Sequence, residues 1–291
     1  MRWKRGASTK DVIDVRGGGG GRRGGGMALP VGGGAGILGV LVFLAIQLLS
    51  GGSGAAFDIP AGFGSGAPPA QGEPIPASQD PDHDLKDFST YVFNDVQQSW
   101  QGVFQQAGKP YQHAKLVFYR GAVDTGCGSA TSAVGPFYCP ADHYVYLDLS
   151  FYRDMARQLG APGDFAWAYV IAHEMGHHVQ QQLGTSDQVE QLRRSDPGQS
   201  NAASVRLELQ ADCYAGFWAH GVFDSLGPGD LEEAVTASEA VGDDRLQREA
   251  GGQVNPDSFT HGSSAQRRRW FENGRRDGDP AACDTFSPEN L

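Results

Sequence analysis

Cations are scarce in this 291-residue chain: 23 Lys and Arg stand against 34 Asp and Glu, a formal net charge of −11. That balance argues against a general nucleic-acid surface. Cysteine is scarcer still, at four, and no C-x-x-C spacing occurs, so a structural Cys₄ zinc site has no support. The 42 glycines follow no three-residue period, which excludes a collagen-like chain. They crowd into Gly17–Gly26, Gly32–Gly36 and Gly51–Gly66, so the foldable part is shorter than the chain. Internal repeats are absent, and a hydrophobic content of 40% excludes both a wholly disordered chain and a polytopic membrane protein. What remains, 40% hydrophobic and 10% aromatic, is ordinary for one packed domain with extras.

The net charge hides an asymmetry. Residues 1–30 carry seven Lys/Arg against Asp11 and Asp14, a net +5, which leaves −16 for the rest. Val31 to Leu49 contains no charge, and its 19 residues reach roughly 28 Å as a helix, enough to cross a bilayer. The positive-inside rule then places the N-terminus in the cytoplasm and the body outside, with a retained signal-anchor as the reading and a cleavable signal peptide as the alternative. Both export the body. The expected organisation is a disordered basic cytoplasmic segment at 1–30, a transmembrane signal-anchor at 31–49, a Gly/Pro/Ala-rich linker at 50–82 and one domain at 83–291, membrane-anchored and extracytoplasmic.

Within the domain, Phe88, Val92, Val96, Trp100 and Phe104 fall at helical spacing over Leu85–Ala107. Ala114–Tyr119 and Tyr144–Asp148 are short, apolar and β-rich, and read as strands. Helices are expected at Phe151–Leu159, from Asp164 as candidate N-cap to a stop at Gly184, around Asp187–Arg194, at Asn201–His220, at Asp230–Ala250 and at Ser264–Asn273, with Ser263 and Gln266 spaced as a capping box. The class is α+β: a mainly helical domain with a small β-sheet, preceded by one transmembrane helix.

His173-Glu174-Met175-Gly176-His177 is an H-E-x-x-H motif inside the long apolar helix. Positions four apart share a helical face, so His173 and His177 can present two imidazoles to one Zn²⁺ with Glu174 beside them as a base. Gly176 permits close approach of another element. A third ligand is needed, with one position left for water. The metzincin extension is missing, because Gln180 and Leu183 stand where its glycine and third histidine belong. Asp187, in Gly184-Thr185-Ser186-Asp187, is a minor candidate. Glu208 is the stronger one: Glu208 and Asp212 lie four apart on an apolar helix, so Glu208 can ligate while Asp212 accepts a hydrogen bond from a ligand imidazole. One zinc held by His173, His177 and Glu208 would activate water, and Glu174 would take its proton and return it to the leaving group. His261, in a loop before a helix, is the candidate oxyanion stabiliser, with Arg267 and Tyr214 as weaker ones. The strand Tyr144–Asp148 is expected to offer an edge to an extended substrate.

HEMGHHVQ, SVRLELQADCYAGFWAHGVF, SFTHGSSAQRRRWFENG and the closing GDPAACDTF together resemble the neutral zinc metallopeptidase family of bacterial membrane-anchored proteins, from about residue 80 to the C-terminus. The E-x-x-A-D arrangement is also similar to that of glutamate-ligand zinc peptidases. The resemblance implies a zincin-like fold, a catalytic zinc and a peptide or protein substrate. Two other readings are a catalytically silent peptidase-like scaffold of the envelope, which intact Glu174 argues against, and a zinc amidase acting on cell-wall peptides.

Cys127, Cys139, Cys213 and Cys283 all follow the apolar run, and an even count in an exported domain favours disulfides. Of three connectivities, Cys127 with Cys139 closes a local loop, and Cys213 with Cys283 ties the C-terminal tail to the helix bearing Glu208.

Overall fold

The computed structural model describes residues 1–17 and 69–287. The elements begin with β1 (Val12–Asp14), followed by α1 (His83–Gln106), β2 (Lys115–Tyr119), β3 (Ala122–Thr125), β4 (Gly128–Thr131), β5 (Phe137–Cys139) and β6 (Tyr144–Asp148). The rest is helical: α2 (Ser150–Gln158), α3 (Asp164–Leu183), α4 (Thr185–Ser195), α5 (Ser200–Gly221), α6 (Asp230–Ala240), α7 (Asp243–Glu249) and α8 (Ser264–Asp277). Small sheets among many helices make the architecture α+β.

The main sheet runs β1-β2-β6-β5, with β1, β2 and β6 parallel and β5 antiparallel to β6. Alternation along the central strands splits the core. Leu116 and Phe118 of β2 and Val145 and Leu147 of β6 face the helices, where they join Phe88, Val92, Val96, Trp100 and Phe104 of α1. Val117, Tyr119 and Tyr146 face the other way and are covered by Val123 of the β3–β4 hairpin and by Cys139. The Cys127–Cys139 disulfide staples that hairpin to β5.

Helix α3 is apolar nearly all round because α1, α5 and α6 pack on it, and it stops at Gly184, whose φ of 78° caps it. Gly163 is its N-cap and Asp164 its first helical residue, so the helix starts one position earlier than expected. Helices α5 and α8 touch backbone to backbone. A Cβ on Gly274 would lie 1.9 Å from the Cys213 carbonyl oxygen, so glycine is required there. The helix expected over Asp230–Ala250 is two, broken at Val241–Gly242, where Gly242 has ψ 137° and a Cβ on it would meet the Ser264 amide nitrogen at 2.3 Å. The capping box of Ser263 and Gln266 forms as expected.

The N-terminal organisation needs correction. Met1–Gly17 is folded onto the domain rather than disordered: β1 adds to β2, Leu116 N–H donates to Asp11 O at 2.8 Å, and Val15 N–H donates to Phe118 O at 2.9 Å. Arg16 is buried between two carboxylates, with Nη2 2.7 Å from both Asp14 Oδ2 and Asp80 Oδ2. Residues 69–82, expected to be linker, take part as well, since Gly72 N–H donates to Asp14 O and Asp80 and Asp82 are buried. Residues 1–17 therefore share a sheet with the domain. Val31–Leu49 lies outside the described residues. Among the described residues no helix is long and apolar enough to cross a membrane.

Arg16→Met is expected to destabilise the fold by about 3–5 kcal/mol, because it leaves two buried carboxylates with only the more distant Lys86 ammonium, 3.6 Å from Asp14 and 4.0 Å from Asp80. Burial pushes Asp14 and Asp80 up, but the Arg16 hydrogen bonds and charge outweigh it and hold both below the usual range. Their contribution is therefore complete above the ordinary aspartate value and disappears as pH falls through the lowered folded values. Urea melts of the two proteins should differ most near neutrality and converge below about pH 4.

Candidate metal centre

Helices α3 and α5 bring the motif residues together because Gly176 lets them approach: a Cβ on Gly176 would lie 3.1 Å from Ala211 Cα. His173 and His177, one turn apart on α3, turn their rings to each other at 4.8 Å between centroids. Glu208 of α5 faces both. Its Oε2 is 3.2 Å from His173 Nε2 and its Oε1 is 3.5 Å from His177 Nε2. These ligand atoms all lie within 4.8 Å of one another. Asp187 is elsewhere, on the exposed side of α4, where it accepts from Gln181 Nε2.

The donor set fits a zinc ion. Two neutral imidazole nitrogens and a carboxylate are borderline-soft and singly anionic, and a tetrahedron with bonds near 2.0–2.1 Å has edges of about 3.3 Å, close to the two separations just given. Each imidazole has its other nitrogen engaged. His173 Nδ1 donates to Asp212 Oδ1 at 2.9 Å, and His177 Nδ1 to Gln180 Oε1 at 2.9 Å, so Nε2 of each is the one presented to Glu208. Exposure rises from 0% at the Asp212 side chain to 8% at His173 and 18–19% at His177 and Glu208, so the centre opens to solvent on the Glu208 side.

Electrostatics follow from this packing. Burial alone would lower His173, but hydrogen bonds to Asp212 and Glu208 outweigh it and raise its pKa to about 10. Burial lowers His177. Burial opposes ionisation of Glu208, yet the His177 charge and the His173 hydrogen bond hold it well below the usual carboxylate range. Glu174 is pushed up to about 7, chiefly by burial, while the Tyr138 backbone N–H of β5 donates to it. A buried carboxyl poised near neutrality is suited to moving a proton.

Asp212 is the hub beneath the centre. It accepts from Tyr169 Oη at 2.5 Å, from His173 Nδ1, and from Arg267 Nε at 2.8 Å and Nη2 at 2.9 Å. Arg267, weighed as an oxyanion group, instead lies buried behind the ligand imidazole as the counter-ion of Asp212. Tyr214 is likewise removed from that role, because it is in the core with its ring edge-on to Trp100. The sequence offered no local signal for Arg267, since the contact spans two helices 55 residues apart.

His261 lies near enough to Glu208 for their charges to interact. The residue that places it, Asp243, was not foreseen: it accepts the backbone N–H of Thr260, His261 and Gly262 on Oδ2, and its Oδ1 lies 3.1 Å from His261 Nδ1. Burial would lower His261, but the Asp243 hydrogen bond and the Glu208 charge raise its pKa. Strand β6, expected at an edge, is interior between β2 and β5, so the edge beside Glu174 belongs to β5. Among the described residues a second acid group, Asp164, Asp230 and Glu233, gathers at the far end of α3; the Met1 ammonium lies 3.2 Å from Asp164 and 3.0 Å from Asp230.

Two imidazoles and a glutamate with a buried carboxyl alongside form a donor set that suits a zinc ion. The chain belongs to the family described as "Putative neutral zinc metallopeptidase", which it matches over residues 1–286. Membership points to a general peptidase role with zinc as the metal. It is 45% identical to the uncharacterized protein YpfJ of Escherichia coli K12 over 291 residues, covering 98% of this chain and 99% of that protein. It is also 45% identical to the uncharacterized protein Rv2575 of Mycobacterium tuberculosis over 213 residues, 68% of this chain and 69% of that one. No solved structure matches it.

Proposed function

We propose that this protein is a zinc metallopeptidase that hydrolyses peptide bonds, with His173, His177 and Glu208 as metal ligands and Glu174 as general base. The observation that carries the reading is the convergence of both imidazole Nε2 atoms on the Glu208 carboxylate beside a carboxyl held near neutrality. Zinc, when bound there, would supply a Lewis acid that lowers the pKa of a water to about 7 and polarises a carbonyl. Glu174 takes the proton of the attacking water and returns it to the leaving amine. His261, positioned by Asp243, which also raises its pKa, is assigned to stabilise the developing oxyanion. Asp212, itself fixed by Arg267 and Tyr169, holds the His173 ring and its tautomer. The edge strand β5 lies where an extended substrate could add as a strand.

The test is to incubate the zinc-loaded protein with a mixed peptide library and map new N-termini. Termini that appear with zinc and disappear after chelation support the reading, and none in either sample would end it.

The two disulfides favour an oxidising compartment outside the cytoplasm. Val31–Leu49 supplies a run of bilayer length, and because residues 17 and 69 both belong to the domain, it would meet a membrane from the domain's own side. A Lys4→Cys variant in intact cells is therefore expected to react with a membrane-impermeant maleimide. Labelling only after lysis would place residues 1–17 inside and contradict it.

A further inference from the structure

We infer that the Cys213–Cys283 disulfide sets the zinc affinity of the centre through a two-glutamine relay, Gln210 and Gln180, that ends on His177. This rests on the reading of His177 as a metal ligand.

The relay is continuous and buried. Gln180 is fully buried and Gln210 nearly so. His177 Nδ1 donates to Gln180 Oε1 at 2.9 Å, and Gln180 Nε2 donates to Leu207 O at 2.7 Å and to Gln210 Oε1 at 3.1 Å. Gln210 Nε2 donates to Cys283 O at 3.1 Å. Cys283 is joined to Cys213, three residues beyond Gln210 on α5.

The direction of every bond is fixed by its ends. The Cys283 and Leu207 carbonyls can only accept, so both glutamines must present their NH₂ groups to them. Gln210 is then left with its oxygen toward Gln180, and Gln180 with its oxygen toward His177. An oxygen there requires a hydrogen on His177 Nδ1, which leaves Nε2 unprotonated and free to bind metal. The two ligand imidazoles are thus oriented by different means: His173 by the ionic hub Asp212–Arg267, and His177 by a neutral chain whose far end is the C-terminal tail.

The tail has a further hold in Arg206 and Thr285, since Thr285 Oγ1 donates to Arg206 O at 2.6 Å. Loss of the disulfide therefore loosens Cys283 O without removing the tail. Released from that carbonyl, Gln210 can turn its amide over, and Gln180 then keeps Leu207 O as its acceptor but loses the Gln210 oxygen. Gln180 and Gln210 are positioning residues, and the disulfide is the clasp that holds them.

The experiment is zinc affinity by chelator competition in the wild type, Gln180→Leu, Gln210→Leu, the pair Cys213→Ala with Cys283→Ala, and that pair combined with Gln210→Leu. Circular dichroism monitors the fold, and the absorption bands of the cobalt-substituted proteins report ligand geometry. Gln180→Leu is expected to weaken zinc about 10–100-fold and to shift the cobalt bands. Gln210→Leu and the clasp variant should each weaken it by up to about 10-fold, and the combination no more than either alone. The inference is overturned if Gln210→Leu, which keeps the disulfide, binds zinc as the wild type does. It is equally overturned if clasp removal acts by the same factor with and without Gln210. Absence of zinc binding in the wild type would instead defeat the metal-site reading itself.

Discussion

Glu174→Gln is expected to lower the rate of peptide hydrolysis by about 10²–10⁴-fold while leaving zinc bound. The amide fills the same space on α3 and still meets the Tyr138 N–H with its oxygen, but it cannot take a proton from water. Zinc content by atomic absorption and initial rates on one cleaved peptide are the readouts. Equal rates for both proteins would show that some other group moves the proton.

The second large effect is expected at Arg267. The Asp212 side chain has 0% exposure and Arg267 4%, and their two hydrogen bonds span α5 and α8. Arg267→Met leaves an ionised carboxylate buried with only His173 and Tyr169 against it, a loss of about 3–5 kcal/mol. Arg267→Lys should not rescue it, because one ammonium cannot reproduce the planar contact with both Asp212 oxygens and Tyr169. Burial opposes ionisation of Asp212, but the Arg267 charge and the His173 hydrogen bond hold its pKa below the ordinary value. The stability supplied by Asp212 is therefore present above that value and is lost as pH falls through the lowered one. Denaturation measured at neutral pH should show the full deficit of the methionine variant, and at about pH 3 a smaller one.

What the sequence revealed of the centre was what is local. His173, Glu174 and His177 share one helical turn, and Glu208 and Asp212 share another, so spacing alone exposed their faces. Gly176 was legible as a close-approach residue for the same reason. Disulfides as such followed from the even count of cysteines, the pairing was a preference among three connectivities, and both preferred pairs form. Arg267 and Asp243 were not legible as supporting residues, because their partners lie 55 and 18 residues away and the meeting depends on how helices pack. Strand β1 was hidden more thoroughly. Three residues, Val12–Asp14, pair with a strand about a hundred positions on, and the charges around them read as a solvated flank until Arg16 finds Asp80. The break at Gly242 was missed because apolar periodicity runs on through it, while the crowding that forbids a side chain comes from Ser264.

The zinc K-edge absorption spectrum of the zinc-loaded protein tests the central claim most directly. One zinc per chain is expected, with a four-coordinate shell of nitrogen and oxygen near 2.0–2.1 Å that carries the outer-shell scattering of two imidazoles. A shell containing sulfur near 2.3 Å, or a spectrum without imidazole scattering, would contradict the assignment of His173, His177 and Glu208.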